Sequence, residues 1–528
     1  MVELFEMLFF TPTGIISIIV LTLLFGDFRK VKNGYRHSKY PITSNYNPVK
    51  LLDGKKWESF SNLKSKLGKI KNTDFFIGNF RFSTQVIKNS RMPFWWKKWA
   101  EKTKIFISQE NMRKVTMVFG GMGSGKTVFF LSLLDQIENY ENALVHDGDK
   151  GELLPKLYNP IRDVIFNNYD ERAYIHDALN EDPLIAATFF KILLSAASGK
   201  DVSFFSTGAK DHLYNILLYT NAQNFEDKAE KWDFFMQEIE TLIVNTLSDQ
   251  QKSEKDIIST LKQTMKPLDL IYFRIKNGAR TFVIDDFLNK NHAAKLFISY
   301  ESKFQDELKP AASAFIQLFT LIHLSRPKTD KQYLYLIDEC STYIRILNDE
   351  ETLKSQLEKL RSKGVMFVAG FQGVEEEKKT AKMLDKTAVN KFWFRTDGND
   401  TKDDLIKTGR QITYEYTKYS KSGKTTSSSI ERQKEDFIKE NDYDDLGNRF
   451  ESIAKIGDIF TRLYTPITDD EKEKVERAKP FIEFTGRKEF EDGLGIKYNK
   501  LQNERWGLNK ENAAAEDVGE TKPDELNF

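Results

Sequence analysis

The chain is 528 residues long, 40% hydrophobic and 30% charged, with 79 Lys/Arg against 78 Asp/Glu and a formal net charge of +1. That balance is an ordinary globular one rather than a disordered one, and the length allows roughly three to four domains around a sizeable core. The single cysteine, Cys340, excludes an internal disulfide and any cysteine-built zinc cluster, and the six histidines show no metal-ligand spacing. Phosphates and a hard cation, in a reducing compartment, are then the chemistry to look for.

The first element is apolar. Met7–Gly26, "MLFFTPTGIISIIVLTLLFG", carries no charge. As a helix of about 20 residues it would reach roughly 30 Å, the thickness of a hydrocarbon core. Arg29, Lys30, Lys32, Arg36 and Lys39 follow it, whereas only Glu3 and Glu6 precede it. That bias predicts a single-pass anchor in the inner (cytoplasmic) membrane with the bulk of the chain in the cytoplasm. A cleaved signal peptide would need a basic start and a small-residue end, and neither is present. From Asp27 to Lys114 there are 21 Lys/Arg against 6 Asp/Glu. This basic stretch suits anionic lipid or nucleic acid, or a solvated lysine face. Within it, Trp95, Trp96 and Trp99 cluster with Lys97 and Lys98. Membrane interface, base stacking and ordinary packing all remain open for that cluster.

The next element carries chemistry. "KVTMVFGGMGSGKTVFFLSLL" reads as a β-branched strand, a glycine turn and an apolar helix. Gly120, Gly125, Lys126 and Thr127 fit GxxxxGK[ST] in the strand–loop–helix setting the motif requires. Glycines let successive N–H groups wrap phosphates, and the helix N-terminus adds its dipole. The predicted nucleotide loop is Gly120, Gly121, Met122, Gly123, Ser124, Gly125, Lys126, Thr127 and Val128. Lys126 would reach the β/γ-phosphates and Thr127 would ligate Mg²⁺.

A strand then ends in "VHDGDKGELL" (145–154), which by itself reads as a surface turn. Over about 206–289 apolar residues recur at three and four, predicting an all-helical insertion in an α/β domain. "QYLYLIDECSTY" supplies a buried-type strand delivering Asp338, a Mg²⁺ ligand, and Glu339, which would polarise the attacking water. "GVMFVAGFQG" ends in Gln372, placed either to sense the γ-phosphate or as a plain strand-end glutamine. "SGKTTSSS" at 422–429 is a decoy, because Lys418 stands where the motif needs its first glycine. The terminal stretch Glu511–Phe528 has six acids against one lysine and reads as a solvated tail.

No transporter signature LSGGQ, guanine-reading NKxD or helicase DEAD is present. In order, these motifs resemble the type IV coupling proteins of bacterial conjugation and type IV secretion, relatives of the FtsK/HerA-type motors. Asp147, Asp149, Lys150, Gly151 and Glu152 match that family's D-x-K-G-E turn. "NNYDERAYIHD" (167–177) is similar to its NPxDxR element, with Asn168 in place of the proline. "KLFIS" (295–299), the helix from about Pro310 to Leu324, and Arg361 in "LEKLRSKG" also look familial. The resemblance runs over about 105–470. It departs from the family in showing one apolar span where members often have two.

The resemblance implies an α/β fold: a RecA-like P-loop ATPase domain with a mostly parallel sheet, an inserted all-α domain and an N-terminal transmembrane helix. It implies ATP and Mg²⁺ as cofactors and a homo-hexamer with ATP between subunits. Arg361 would be a finger offered to the neighbour, or else a charge at a helix end. Asp147 would lie near the Mg²⁺, and Lys150 and Glu152 at a subunit interface. The chain divides into an anchor (1–26), a basic juxtamembrane segment (27–104), a nucleotide domain in two stretches (105–205 and 290–486) that flank the helical insertion (206–289), and an acidic flexible tail (487–528). The expected function is an ATP hydrolase, stimulated by DNA, that recruits a relaxase–DNA complex and pumps DNA into a secretion channel. Expected partners are DNA, a relaxase, channel components and the membrane. The alternatives are a receptor ATPase for secreted proteins and a HerA/FtsK-like motor outside secretion.

Overall fold

The computed structural model describes residues 50–53, 74–81, 101–136, 142–148, 151–197, 204–248, 267–289, 293–338, 340, 350–374, 384–385, 387–396, 398–422, 425–446, 450–467 and 476–497. The expected anchor, most of the basic segment with its tryptophans, Asp149, Lys150, Glu339 and everything after Lys497 lie outside the described residues. Among the described residues no helix is long and apolar enough to cross a membrane.

Three strands come first: β1 (Lys50–Asp53), β2 (Phe75–Phe80) and β3 (Lys104–Ile107). β4 (Thr116–Phe119) leads into helix α1 (Lys126–Asp135), and β5 (Asn142–Gly148) follows. β6 (Val164–Phe166) and the short β7 (Ile175–His176) precede α2 (Pro183–Ala197), α3 (Phe204–Asn221) and α4 (Lys228–Ser248). Then come β8 (Thr281–Phe282), β9 (Ala294–Ser299), α5 (Gln305–Ser325) and β10 (Tyr333–Ile337). α6 (Glu350–Ser362), β11 (Val365–Phe371), β12 (Asn390–Phe394) and α7 (Asn399–Gly409) lead to a long hairpin, β13 (Gln411–Ser422) and β14 (Thr425–Asp436). β15 (Glu451–Ile456) and β16 (Ile459–Tyr464) close the set.

The chain forms two compact units. The first comprises Met1–Val145, Lys328–Ile344 and Asp349–Arg477. Its main sheet runs β3-β2-β16-β15-β12-β4-β11-β10-β5, with β5 leading out of the unit. β12, β4, β11 and β10 are parallel neighbours, with Phe371 beside Phe119 and Ile337 beside Ala369. Every residue of β4, β10 and β11 is buried. Continuous apolar runs are what strands covered on both faces require. From β12 outward, β15, β16, β2 and β3 pair antiparallel.

α1 is apolar nearly all round because it is buried nearly all round. Phe129 packs 4.7 Å from Phe392 and 5.9 Å from Phe394, and Phe119 stacks on Phe371 and Trp393. A second, three-stranded sheet in this unit joins β1 and the hairpin in the order β1-β13-β14.

The second unit comprises His146–Pro327, Arg345–Asn348 and Ala478–Phe528. β6 and β9 pair in parallel, α2 packs on α5 and α3, and α3 packs on α4. Phe315 stacks 4.1 Å from Phe166 and meets His176 edge-on at 5.2 Å. The Trp232 indole donates to Asp177 at 2.9 Å, which ties α4 to the chain after β7. Among the described residues of 206–289, helix covers 206–221, 228–248, 267–276 and 284–289, and β8 pairs with β7 through Ile175 and Thr281. Residues 487–497, at the head of the acidic segment, are helical, and Lys497 reaches Asp269 at 2.6 Å.

Candidate functional site

The carboxyl ends of three adjacent parallel strands converge in the first unit. β4 leads into Gly120, β11 into Gln372 and β10 into Asp338. In open α/β sheets that edge is where ligands bind, since the helices that follow present their N-termini there.

The loop after β4 is held by backbone hydrogen bonds, within itself and to β11. The Gly120 N–H donates to the Phe371 carbonyl at 3.1 Å, and the Ser124 N–H to the Gly121 carbonyl at 3.2 Å. A Cβ on Gly120 would stand 2.6 Å from the Ser124 hydroxyl, so the turn closes only around glycine. Gly123, at φ +70°, has nothing within 4 Å of a Cβ position, and Met122 at the crest is 84% exposed. Gly125 at φ +109° begins α1, which has no side-chain cap. A helix N-terminus without a side-chain cap is the kind of site that suits phosphate oxygens. The Ser124 hydroxyl is buried inside the loop with no partner among the described residues. These features fit a polyphosphate.

Lys126 and Asp338 form an ion pair across the strand ends. Lys126 is buried and its ammonium lies 5.8 Å from the centre of the Phe130 ring. Room for the carboxylate comes from Gly370 in β11. A Cβ there would sit 2.7 Å from Asp338 Oδ1 and 2.8 Å from the Phe130 ring. Gly370 also accepts the Cys340 N–H at 3.1 Å, which fixes the turn after Asp338. A lysine and an aspartate paired here can each exchange the other for a phosphate or a cation without being buried unpaired. Thr127 is partly exposed at the start of α1, and Val128 is buried behind it. Those residues suit an Mg²⁺–nucleotide: Thr127 and Asp338 as oxygen ligands, Lys126 as the phosphate partner.

The fold brings Lys126, Asp338 and Gln372 to one edge. It does not bring Arg361 there. Arg361 is exposed in the last turn of α6, before β11 begins, whereas Gln372 follows the end of β11. A seven-residue strand separates them by roughly 20 Å at about 3.3 Å per residue.

Two further features of the site carry no local motif. Gly370 lies inside the quoted "VAGFQG" and only the register with β4 and β10 gives it a purpose. The segment 395–450 reaches the loop through Arg395 and Phe450, and no local pattern announces that.

In the second unit the "DGDKGE" turn has a structural basis. The Asp147 carboxylate accepts the N–H of Leu153 at 2.9 Å and of Leu154 at 2.8 Å, capping the short helix Leu154–Leu157. Gly151 takes φ +55° in the turn. Asp170 of "NNYDERAYIHD" is buried and accepts Arg172 Nη2 at 2.7 Å, while Arg172 Nη1 donates to the Lys479 carbonyl at 2.8 Å. That motif ties the returning C-terminal segment to the unit.

Residues 101–439 match the family model described as the type IV secretion-system coupling protein DNA-binding domain. No curated protein matches the chain in sequence. Among solved structures, the bacterial conjugative coupling protein TrwBdeltaN70 in its unbound monoclinic form aligns at TM-score 0.56 and 16% identity, over 84% of this chain and 100% of that one. The plasmid coupling protein TrwB in complex with the non-hydrolysable ATP analogue ADPNP aligns at TM-score 0.57 and 16% identity, over 83% and 99%. TrwB in complex with ADP and Mg²⁺ aligns at TM-score 0.55 and 16% identity, over 83% and 98%. At that identity the likeness is one of fold.

Proposed function

This chain belongs to the type IV secretion-system coupling protein family, and from that premise we propose that it is a membrane-anchored ATPase that recruits a relaxase–DNA complex and drives DNA into a secretion channel. The observation that carries the reading is the Lys126–Asp338 pair at the edge of a parallel sheet, inside the matched span. Solved TrwB structures hold ADPNP, or ADP and Mg²⁺, on a similar fold, which supports ATP and Mg²⁺ as the cofactors here.

Lys126 countercharges the phosphates, and Thr127 and Asp338 hold the cation. Bound Mg²⁺ supplies electrostatic stabilisation of charge on the transferring phosphoryl group. Glu339 polarises the attacking water, and Gln372, just past the end of β11, would sense the γ-phosphate. Arg361, roughly a strand length from its own chain's site, serves a neighbouring subunit in a hexameric ring. Met7–Gly26 anchors the chain once in the inner membrane with the bulk in the cytoplasm, where the basic segment 27–104 meets anionic lipid or the DNA.

The test is Mg²⁺-dependent ATP hydrolysis by the full chain in detergent, with and without single- and double-stranded DNA. Hydrolysis that rises with DNA and vanishes in Lys126→Ala supports the reading. Hydrolysis indifferent to DNA in a chain that binds no DNA would overturn the pumping role and favour a receptor for secreted proteins.

A further inference from the structure

β12 and β15 are antiparallel neighbours with Phe394 opposite Ser452, so a tight turn would suffice to join them. Instead the chain leaves at Arg395 and returns at Phe450 after an excursion that carries α7, the β13–β14 hairpin and the short helix Glu440–Asp444. Both ends of this excursion touch the phosphate loop. We infer that the excursion is a clasp that sets the loop's peptide orientations, with Phe450 and Tyr443 as positioning residues for nucleotide binding. This rests on the reading of Gly120–Val128 as a nucleotide loop.

At the outgoing end, the Gly121 N–H donates to the Arg395 carbonyl at 3.1 Å. The next residue is pinned. Thr396 N–H donates to the Tyr443 hydroxyl at 2.8 Å, Thr396 Oγ1 lies 2.9 Å from the same oxygen, and that hydroxyl donates to the Phe394 carbonyl at 3.2 Å. Tyr443 is 3% exposed, so one buried hydroxyl holds the chain on both sides of Arg395.

At the returning end, the Phe450 N–H donates to the Ser124 carbonyl at 2.9 Å, and the Phe450 carbonyl accepts the Thr465 N–H at 2.9 Å. In a trans peptide the carbonyl and the following N–H point opposite ways. Holding the Ser124 carbonyl on Phe450 therefore turns the Gly125 N–H to the other side of the loop. That N–H immediately precedes Lys126.

The contact is close enough to explain Gly125 independently of phosphate. A Cβ on Gly125 would lie 2.7 Å from both Phe450 Cα and Cδ1. Phe450 itself adopts φ +75°, a left-handed conformation that bulky residues rarely take. Such strain persists only where surrounding structure over-determines it. Here the Ser124 bond, the Thr465 bond and the edge-on contact with Tyr464 at 6.5 Å supply that constraint.

The experiment titrates a fluorescent ATP analogue, with Mg²⁺, into the full chain and its variants, each also scanned for melting temperature without nucleotide. Phe450→Val cannot hold φ above zero and is expected to weaken affinity about tenfold or more, near 1.4 kcal/mol. Phe450→Gly tolerates the conformation and should bind at least about fivefold more tightly than Phe450→Val, recovering part of the loss. Tyr443→Phe removes one oxygen and should weaken affinity about threefold or more. A folded Phe450→Val with wild-type affinity overturns the inference, as does Phe450→Gly binding no better than Phe450→Val. If Phe450→Val does not fold, Tyr443→Phe decides: wild-type affinity in that variant overturns the clasp. A wild-type chain that binds the analogue no better than Lys126→Ala would instead bring down the nucleotide reading beneath it.

Discussion

Gly364 is a position where one added methyl group should be severely destabilising. It takes φ +82° between α6 and β11. Its N–H donates to the Arg361 carbonyl at 3.2 Å, and its own carbonyl accepts the Tyr333 N–H at 3.0 Å, the first rung between β10 and β11. In Gly364→Ala the left-handed conformation costs about 1–2 kcal/mol. The new Cβ would also stand 1.9 Å from the Lys331 carbonyl oxygen, where real contacts essentially never fall under 3.0 Å. The strand end must therefore separate by more than about 1 Å. The rung then lost contributes about 0.5–1.5 kcal/mol, and disturbed packing around the buried Tyr333 and Val365 a further ~1–3 kcal/mol. A total of about 3–6 kcal/mol corresponds to a fall in melting temperature of roughly 6–15 °C in a unit of this size.

Gly457→Ala is the control. Gly457 has φ +60° in the two-residue turn between β15 and β16, yet nothing lies within 4 Å of its Cβ position. It should cost only the conformational ~1–2 kcal/mol. Calorimetry of the full chain measures both. A Gly364→Ala transition within about 2 °C of the Gly457→Ala transition would refute the steric reasoning.

Glu339→Gln should retain analogue binding but lower turnover about 10²-fold or more, measured by phosphate release at saturating ATP; normal turnover would remove its role. Arg361→Ala should lose hydrolysis by about 10³-fold or more where rings form, and mixing it with Glu339→Gln should yield more activity than either alone. Wild-type hydrolysis by Arg361→Ala excludes the finger. Asp170→Asn leaves the part-buried Arg172 without its countercharge and should destabilise the second unit by about 3 kcal/mol. An unchanged calorimetric profile would show that this carboxylate is not holding the C-terminal segment.

The sequence by itself determined the parts whose physics is local. β4, the phosphate loop and α1 are contiguous, so a β-branched run, a glycine turn and an apolar helix could be read without knowing their surroundings. The buried-type runs at β10 and β11 were equally legible, because strands covered on both faces must be apolar throughout. The ordered motifs then pointed to the coupling-protein family, which the matched span 101–439 bears out. The helical pattern over 206–289 concealed β8, since a two-residue strand is too short to carry a period of its own. Family likeness set Asp147 near the Mg²⁺ and Lys150 and Glu152 at a subunit interface; the fold adds that the Asp147 carboxylate accepts the N–H groups of Leu153 and Leu154.

Tertiary structure alone decided which distant residues share the loop. Gly370 makes room for Asp338 only because β10 and β11 pair in one register, and Phe450 meets Gly125 only because β15 returns beside β12. Those contacts join positions tens to hundreds of residues apart. No periodicity or spacing encodes them, because the partner that gives each residue its purpose arrives only when the sheet closes.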